Sequence, residues 1–249
     1  MLAFSLLLSC KKKDNSAADS QPAPSPTGTL MLHMHTYVNN TEVETYNAPY
    51  TTDLGRTFNF TKAQFYLSSI QLVKADGSTI NVDNRNLLKV IDNDLYTVGE
   101  VPAGNYKSIS FKVGLNAATN QLNPLASADS VILNRPDMWF GAAAQPDGYV
   151  FMNAQGSVDT SADMSGKMAP FVFEIGSNAN YKQVILPQHN YSVLANQSNL
   201  VHVIADYSIL FNGLQLGNSA NLSVSTAAEN ANAPATTVAN NISNMFRYE

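Results

Sequence analysis

The chain has one cysteine, Cys10, among 249 residues. No intramolecular disulfide can form, and thiol chemistry has a single candidate. Charge is sparse too: only 13% of residues are Asp, Glu, Lys or Arg, and the net charge is −5. That leaves no basic stripe for neutralising phosphates, so nucleic acid is not an expected partner. There are four histidines and one tryptophan. The sequence has no G-x-S-x-G elbow, no G-x-x-x-x-G-K phosphate loop, no H-E-x-x-H pair and no Cys/His cluster. With no carboxylates whose spacing marks a catalytic pair, the chain reads as a non-enzyme.

Long apolar runs are also missing, except at the start, where Met1 to Ser9 (MLAFSLLLS) precedes Cys10 and the polar run Lys11-Lys12-Lys13-Asp14-Asn15. The run is far short of the ~20 residues of a spanning helix and reads as the apolar part of a secretory signal. Leu7-Leu8-Ser9-Cys10 fits a bacterial lipobox, so cleavage before Cys10 and diacylation of its thiol are expected. No Lys or Arg precedes the run, which departs from the usual signal and points to a start further upstream. Acyl chains contribute about 0.8 kcal/mol per buried methylene, enough for a multiply acylated Cys10 to anchor without a membrane helix. With the thiol taken by lipid, any metal must be held by His, Met, carboxylate or a modified Trp.

Three segments follow: a signal peptide over 1–9, a lipidated Cys10 with a disordered linker over 10–29, and a folded domain over 30–249. The linker, rich in Ser, Ala, Pro and Asp, has too few apolar groups to offset the entropy of ordering. Beyond it, period-two alternation of β-branched and aromatic residues marks strands. Leu30 to Val38 places Leu30, Leu32, Met34 and Thr36 on one face and His33 and His35 on the other. Further strands are predicted over 57–60, 62–73, 79–82, 87–92, 107–115, 149–155, 171–175, 183–187, 200–209 and 214–216. Ala75-Asp76-Gly77-Ser78 is a hairpin turn, and Val101 to Tyr106 is a turn launching the strand after it. Helix is predicted only at Asn123 to Asp129, weakly, and at Pro234 to Met245, where Ala235, Val238, Ala239, Ile242 and Met245 recur at helical spacing. The fold class is all-β: an antiparallel β-sandwich with a short C-terminal helix, behind a disordered lipoprotein tether.

His33 and His35 are the leading metal candidates, because strand residues two apart project from one face. His202, inside the apolar stretch Leu200 to Ile204, reads as a satisfied core or edge histidine. His189, in Gln188-His189-Asn190, reads as a surface residue. Trp139 reads as an aromatic plug between sheets.

Several ordered segments resemble the MbnP-like family, partners of di-haem peroxidase-like proteins in bacterial copper systems, with many lipoprotein members. They are Phe65-Tyr66-Leu67-Ser68-Ser69-Ile70 with Lys74-Ala75-Asp76-Gly77, Val101 to Tyr106 leading into Val113-Gly114-Leu115-Asn116, Asp137-Met138-Trp139, Gly148-Tyr149-Val150-Phe151 with Gly156, Phe171 to Gly176, and Asn240 to Phe246. The resemblance runs from about Thr29 to Phe246. It implies an extracytoplasmic β-sandwich that binds copper through His nitrogen and a tryptophan oxidised to kynurenine by the haem partner, with Trp139 at the modified position. Two departures matter. Glu174-Ile175-Gly176 stands where many members have His-Ile-Gly or His-Leu-Gly, and Gly141 stands two residues after Trp139 in place of His. A carboxylate can ligate Cu(II) but suits Cu(I) poorly, so Glu174 weakens or removes that site. His33, His35 and the methionines Met34, Met138 and Met152 are the residues that could compensate.

Two functions follow. The first is a copper-binding lipoprotein, anchored through Cys10 to the outer membrane or cell surface, with His33, His35, Trp139 and Glu174 as ligand candidates and a di-haem peroxidase-like partner. The second is a surface module for a glycan or protein ligand with the copper site lost, which the Asn- and Tyr-rich composition suits.

Overall fold

The computed structural model describes residues 25–52, 54–82, 85–127, 130–142 and 145–249. The signal segment, Cys10 and all but the last residues of the linker lie outside the described residues. In chain order the first elements are β1 (Thr27–Val38), β2 (Thr41–Glu42), β3 (Tyr50–Thr51), β4 (Thr57–Lys74), β5 (Thr79–Asn81), β6 (Leu87–Val90), β7 (Leu95–Pro102), β8 (Gly104–Val113) and a short helix α1 (Ser130–Leu133). There follow β9 (Trp139–Ala142), β10 (Gln145–Asp159), β11 (Met168–Gly176), β12 (Lys182–Ile185), β13 (Tyr191–Val193), β14 (Ser198–Asp206), β15 (Ser223–Val224), α2 (Ala233–Ile242) and β16 (Phe246–Tyr248).

The elements form a β-sandwich, as the alternating pattern predicts. The smaller sheet runs β16-β14-β1-β2, with β7 pairing the first part of β1. The larger runs β12-β8-β4-β10-β11-β15, with shorter strands added along β4, β8 and β10. Its wide middle depends on close backbone approach: a Cβ on Gly156 would lie 1.9 Å from the Asn59 carbonyl oxygen on the neighbouring strand.

The pleat explains the core. In β1, Leu30, Leu32 and Met34 are fully buried. In β4, Ala63, Phe65 and Leu67 turn inward, and in β11 Phe171, Phe173 and Ile175 do the same. Successive side chains on a strand point to opposite faces, so the residues between these face outward. A second, smaller cluster covers the outer face of the larger sheet, joining Tyr66, Leu133, Met138, Phe140, Tyr149 and Phe151, with Trp139 packed against it.

Several boundaries differ from the sequence pattern. The two segments 57–60 and 62–73 are one long strand, β4, bent by a register shift between Ser68 and Gln71. β1 starts at Thr27, three residues inside the expected linker. β7 was not foreseen; it borders β1 directly. The segment 214–216 is not a strand, and of the described residues within 123–129, Pro124–Ala126 forms a single 3-10 turn. The C-terminal helix is shorter than its pattern, ending at Ile242, with Ala235, Val238, Ala239 and Ile242 all buried. The pairing is also mixed rather than wholly antiparallel, since β1 runs parallel to β14 and β11 parallel to β15.

Candidate metal centre

The parallel pairing of β1 with β14 builds the site. Its register sets His33 directly opposite His202, and the pleat turns His33, His35 and His202 to the same outer face. The ring centroids of His33 lie 4.1 Å from His35 and 4.7 Å from His202. His33 Nδ1 and His202 Nδ1 are 3.1 Å apart. Two nitrogens bound to one ion at about 2.05 Å lie about 2.9 to 3.3 Å apart for right-angled to tetrahedral geometry. The observed spacing falls inside that interval. Together the three histidines offer ligand atoms all within 4.8 Å of one another.

Carboxylates surround the imidazoles. Glu249, just after β16, brings Oε2 to 3.1 Å from His202 Nδ1 and 3.7 Å from His35 Nε2. Glu42, on β2, lies 2.5 Å from His35 Nδ1. Asp94 shares a second close group with His35 and Glu42, while its Oδ1 accepts from Lys89 Nζ at 3.0 Å. Burial pulls the pKa of His33 below its ordinary value, reinforced by His35 and His202 and opposed by Asp94 and Glu249. A neutral imidazole keeps the lone pair that a metal needs. Three imidazoles ringed by acidic groups make a field that favours a cation.

His189 approaches from the side. It stacks on Tyr248 with centroids 4.4 Å apart. With Tyr191, Leu200, Val201, His202 and Glu249 it lines a hollow of about 350 Å³ that opens beside the triad.

The sequence candidates therefore divide. His33 and His35 come together as expected, and the pleat gives the reason. His202 is 44% exposed and joins them, so it is not a core histidine, although its Nδ1 is satisfied by Glu249. Glu174 and Trp139 lie elsewhere. Glu174 faces outward from β11, where Gln155 Nε2 donates to its Oε1 at 3.2 Å. Nearby, Lys62 Nζ and Gln64 Nε2 donate to Asp137 Oδ2 at 2.9 and 2.8 Å, and Asn153 Nδ2 donates to the Asp137 carbonyl at 2.8 Å. Trp139 packs over the outer cluster of the same sheet rather than between the sheets. The main core separates both residues from the histidine face. Met34, Met138 and Met152 are fully buried, and Met34 points into the core opposite to its neighbours His33 and His35. None of the three compensates on the histidine face.

Glu42, Asp94 and Glu249 carried no local signal in the sequence. The pairing of β1 with β2, β7 and β14, and of β14 with β16, gathers them.

The MbnP family profile matches residues 27–236. The chain belongs to the MbnP family. Among solved structures, MbnP from Methylosinus trichosporium shares the fold at 16% sequence identity, with a TM-score of 0.50, covering 77% of this chain and 80% of that one. No curated protein matches the chain. In this MbnP-family chain the histidine face lies within the matched span for His33, His35 and His202, while Glu249 lies beyond it.

Proposed function

We propose that this MbnP-family chain is an extracytoplasmic copper-binding lipoprotein that holds its ion through His33, His35 and His202. The observation that carries the reading is the convergence of three imidazoles on one sheet face, beside an acidic fourth donor in Glu249. Imidazole suits Cu(I), Cu(II) and Zn(II), and a carboxylate shifts the preference toward the divalent ions. Met34 is turned into the core, while Met31, two residues before His33, shares the outer face and is partly buried. The carboxylate of Glu249 beside the imidazoles makes Cu(II) the reading, scavenged or handed on, with no redox turnover required of the site. Anchoring rests on the lipobox ending at Cys10. Among the described residues no helix is long and apolar enough to cross a membrane. Uptake of close to one equivalent of Cu(II) that survives dialysis tests the reading; a chain that stays metal-free with both Cu(I) and Cu(II) overturns it.

The partnership with a di-haem peroxidase-like protein rests on family membership and on Trp139. Mass spectrometry of peptides from protein made in its own host tests it: kynurenine at position 139 supports the partnership, and unmodified Trp throughout removes it.

A second reading has its own observation. A hollow of about 530 Å³ on the larger sheet is lined by Ser69, Gln71, Asn81, Ser110, Asn116 and neighbouring polar groups, flanked by Arg85 and Lys112. Amides and hydroxyls of this kind suit a polar ligand such as a glycan. Saturable glycan binding by metal-free protein would establish that role.

A further inference from the structure

We infer that Glu42 is a positioning residue that locks His35 in one tautomer and aims its Nε2 lone pair at the metal. The inference rests on the three-histidine reading of the site. Among the described residues, His35 is the one hydrogen-bond partner of the Glu42 carboxylate, through Nδ1 at 2.5 Å. A carboxylate only accepts, so Nδ1 must carry the proton. Nε2 is then left with a free lone pair, and that atom is buried without a hydrogen-bond partner. The nearest acidic oxygen, Glu249 Oε2, is 3.7 Å away, too far for a hydrogen bond. A buried acceptor without a donor, on the side of the Glu249 oxygen that also meets His202 Nδ1, is the state that an incoming cation satisfies. His35 would then bind through Nε2, and His33 and His202 would complete the site once His202 Nδ1 gives up its contact with Glu249.

The lock is held rigidly. Glu42 sits on β2, paired with Tyr37 of β1 after a turn of two residues, Asn39 and Asn40. Asn39 takes φ 54°, the left-handed region that asparagine tolerates. Three contacts pin that turn: its Asn39 N–H donates to Asp206 Oδ1, its Nδ2 donates to the Thr51 carbonyl, and its carbonyl accepts from Arg247. A carboxylate backing a ligating imidazole orients the ring and raises its basicity, and losing such a partner typically costs about 10–100-fold in metal affinity.

The test uses the whole chain carrying Cys10→Ser, which removes the thiol as a rival ligand. In metal-free protein, nitrogen-15 NMR of the imidazoles should show His35 protonated on Nδ1, and Glu42→Leu should release it toward the commoner Nε2–H form. Glu42→Gln should weaken Cu(II) binding by about 10–100-fold, with stoichiometry unchanged and the metal-free melting temperature preserved. An Nε2–H tautomer in the parent chain overturns the lock, as does unchanged affinity in Glu42→Gln. Loss of a separate second equivalent of metal in Glu42→Gln also overturns it, because Glu42 would then be a ligand. A parent chain with the Nδ1–H tautomer that takes up no copper overturns the metal reading instead, and with it the purpose of the lock.

Discussion

His33 on β1 and His202 on β14 face each other across a parallel strand pair, Nδ1 to Nδ1 at 3.1 Å, although 169 positions separate them in the chain. Nothing local places them together. The register does, because a slip of one residue would send His202 to the opposite face of the sheet.

Removing one of the three rings should therefore cost more than losing a supporting carboxylate. His202→Ala, which empties a partly exposed position, is expected to weaken Cu(II) binding by more than about 100-fold while leaving the metal-free fold intact. Competition titration against a chromophoric chelator reads the affinity. Saturation with copper at about 100 times Kd should add about 2.7 kcal/mol of stability to the parent chain and almost none to the variant.

Residues on the far side of the core should not matter for metal. Met34→Leu conserves volume in the core, so it is expected to cost less than about 1.5 kcal/mol and to leave copper affinity unchanged. Trp139→Phe should likewise leave stoichiometry unchanged. A substantial loss of copper from either variant would show that the histidine face draws on those side chains.

Glu174 gives a prediction in pH. Burial pushes its carboxyl above the ordinary value of 4.5, with Lys62 pulling it back and Asp137 pushing the same way as burial. Because the folded pKa exceeds the unfolded one, the folded state binds more protons between them, and stability falls as pH rises from the unfolded value through the folded one. Glu174→Gln removes that penalty. Urea titrations should show the variant gaining on the parent as pH rises from 4 to 7. A gain that shrinks over the same interval contradicts the assignment.

Lys89 should prove costly to remove. Its side chain is fully buried, and Nζ donates to the Val90 and Asn93 carbonyls and to Asp94. Burial lowers its pKa, while Asp94 and more distant acids oppose the shift. Lys89→Met leaves those acceptors without their donor, an expected loss of about 3–5 kcal/mol by chemical denaturation. A loss below 1 kcal/mol, on the order expected for an exposed pair, would contradict the burial.

Much of the fold could be read from residue order. Alternation in Leu30 to Val38 placed Met34 inward and His33 and His35 outward, and helical spacing located α2. The family resemblance ran through segments that the family profile then matched, except Asn240 to Phe246, which lies beyond the matched residues 27–236. What residue order withheld was non-local. The parallel neighbour of β1 comes from a strand near the other end of the chain, so His202 looked like one polar residue in an apolar run. Glu42 lies on a strand of two residues, too short to show any period. Trp139 and Glu174 carried the family analogy, yet alternation in β11 turns Glu174 to the outer face of the larger sheet, and Trp139, on β9, packs over the cluster on that same face. Strand periodicity can assign faces within one sheet; it cannot say which outer face of a sandwich two distant strands share.

The most direct test of the account is copper content after exhaustive dialysis, by elemental analysis, of the chain carrying Cys10→Ser and of the same chain with His33, His35 and His202 all replaced by Ala. The account predicts close to one copper per chain in the first and none in the second. Equal copper in both, or none in either, would contradict it.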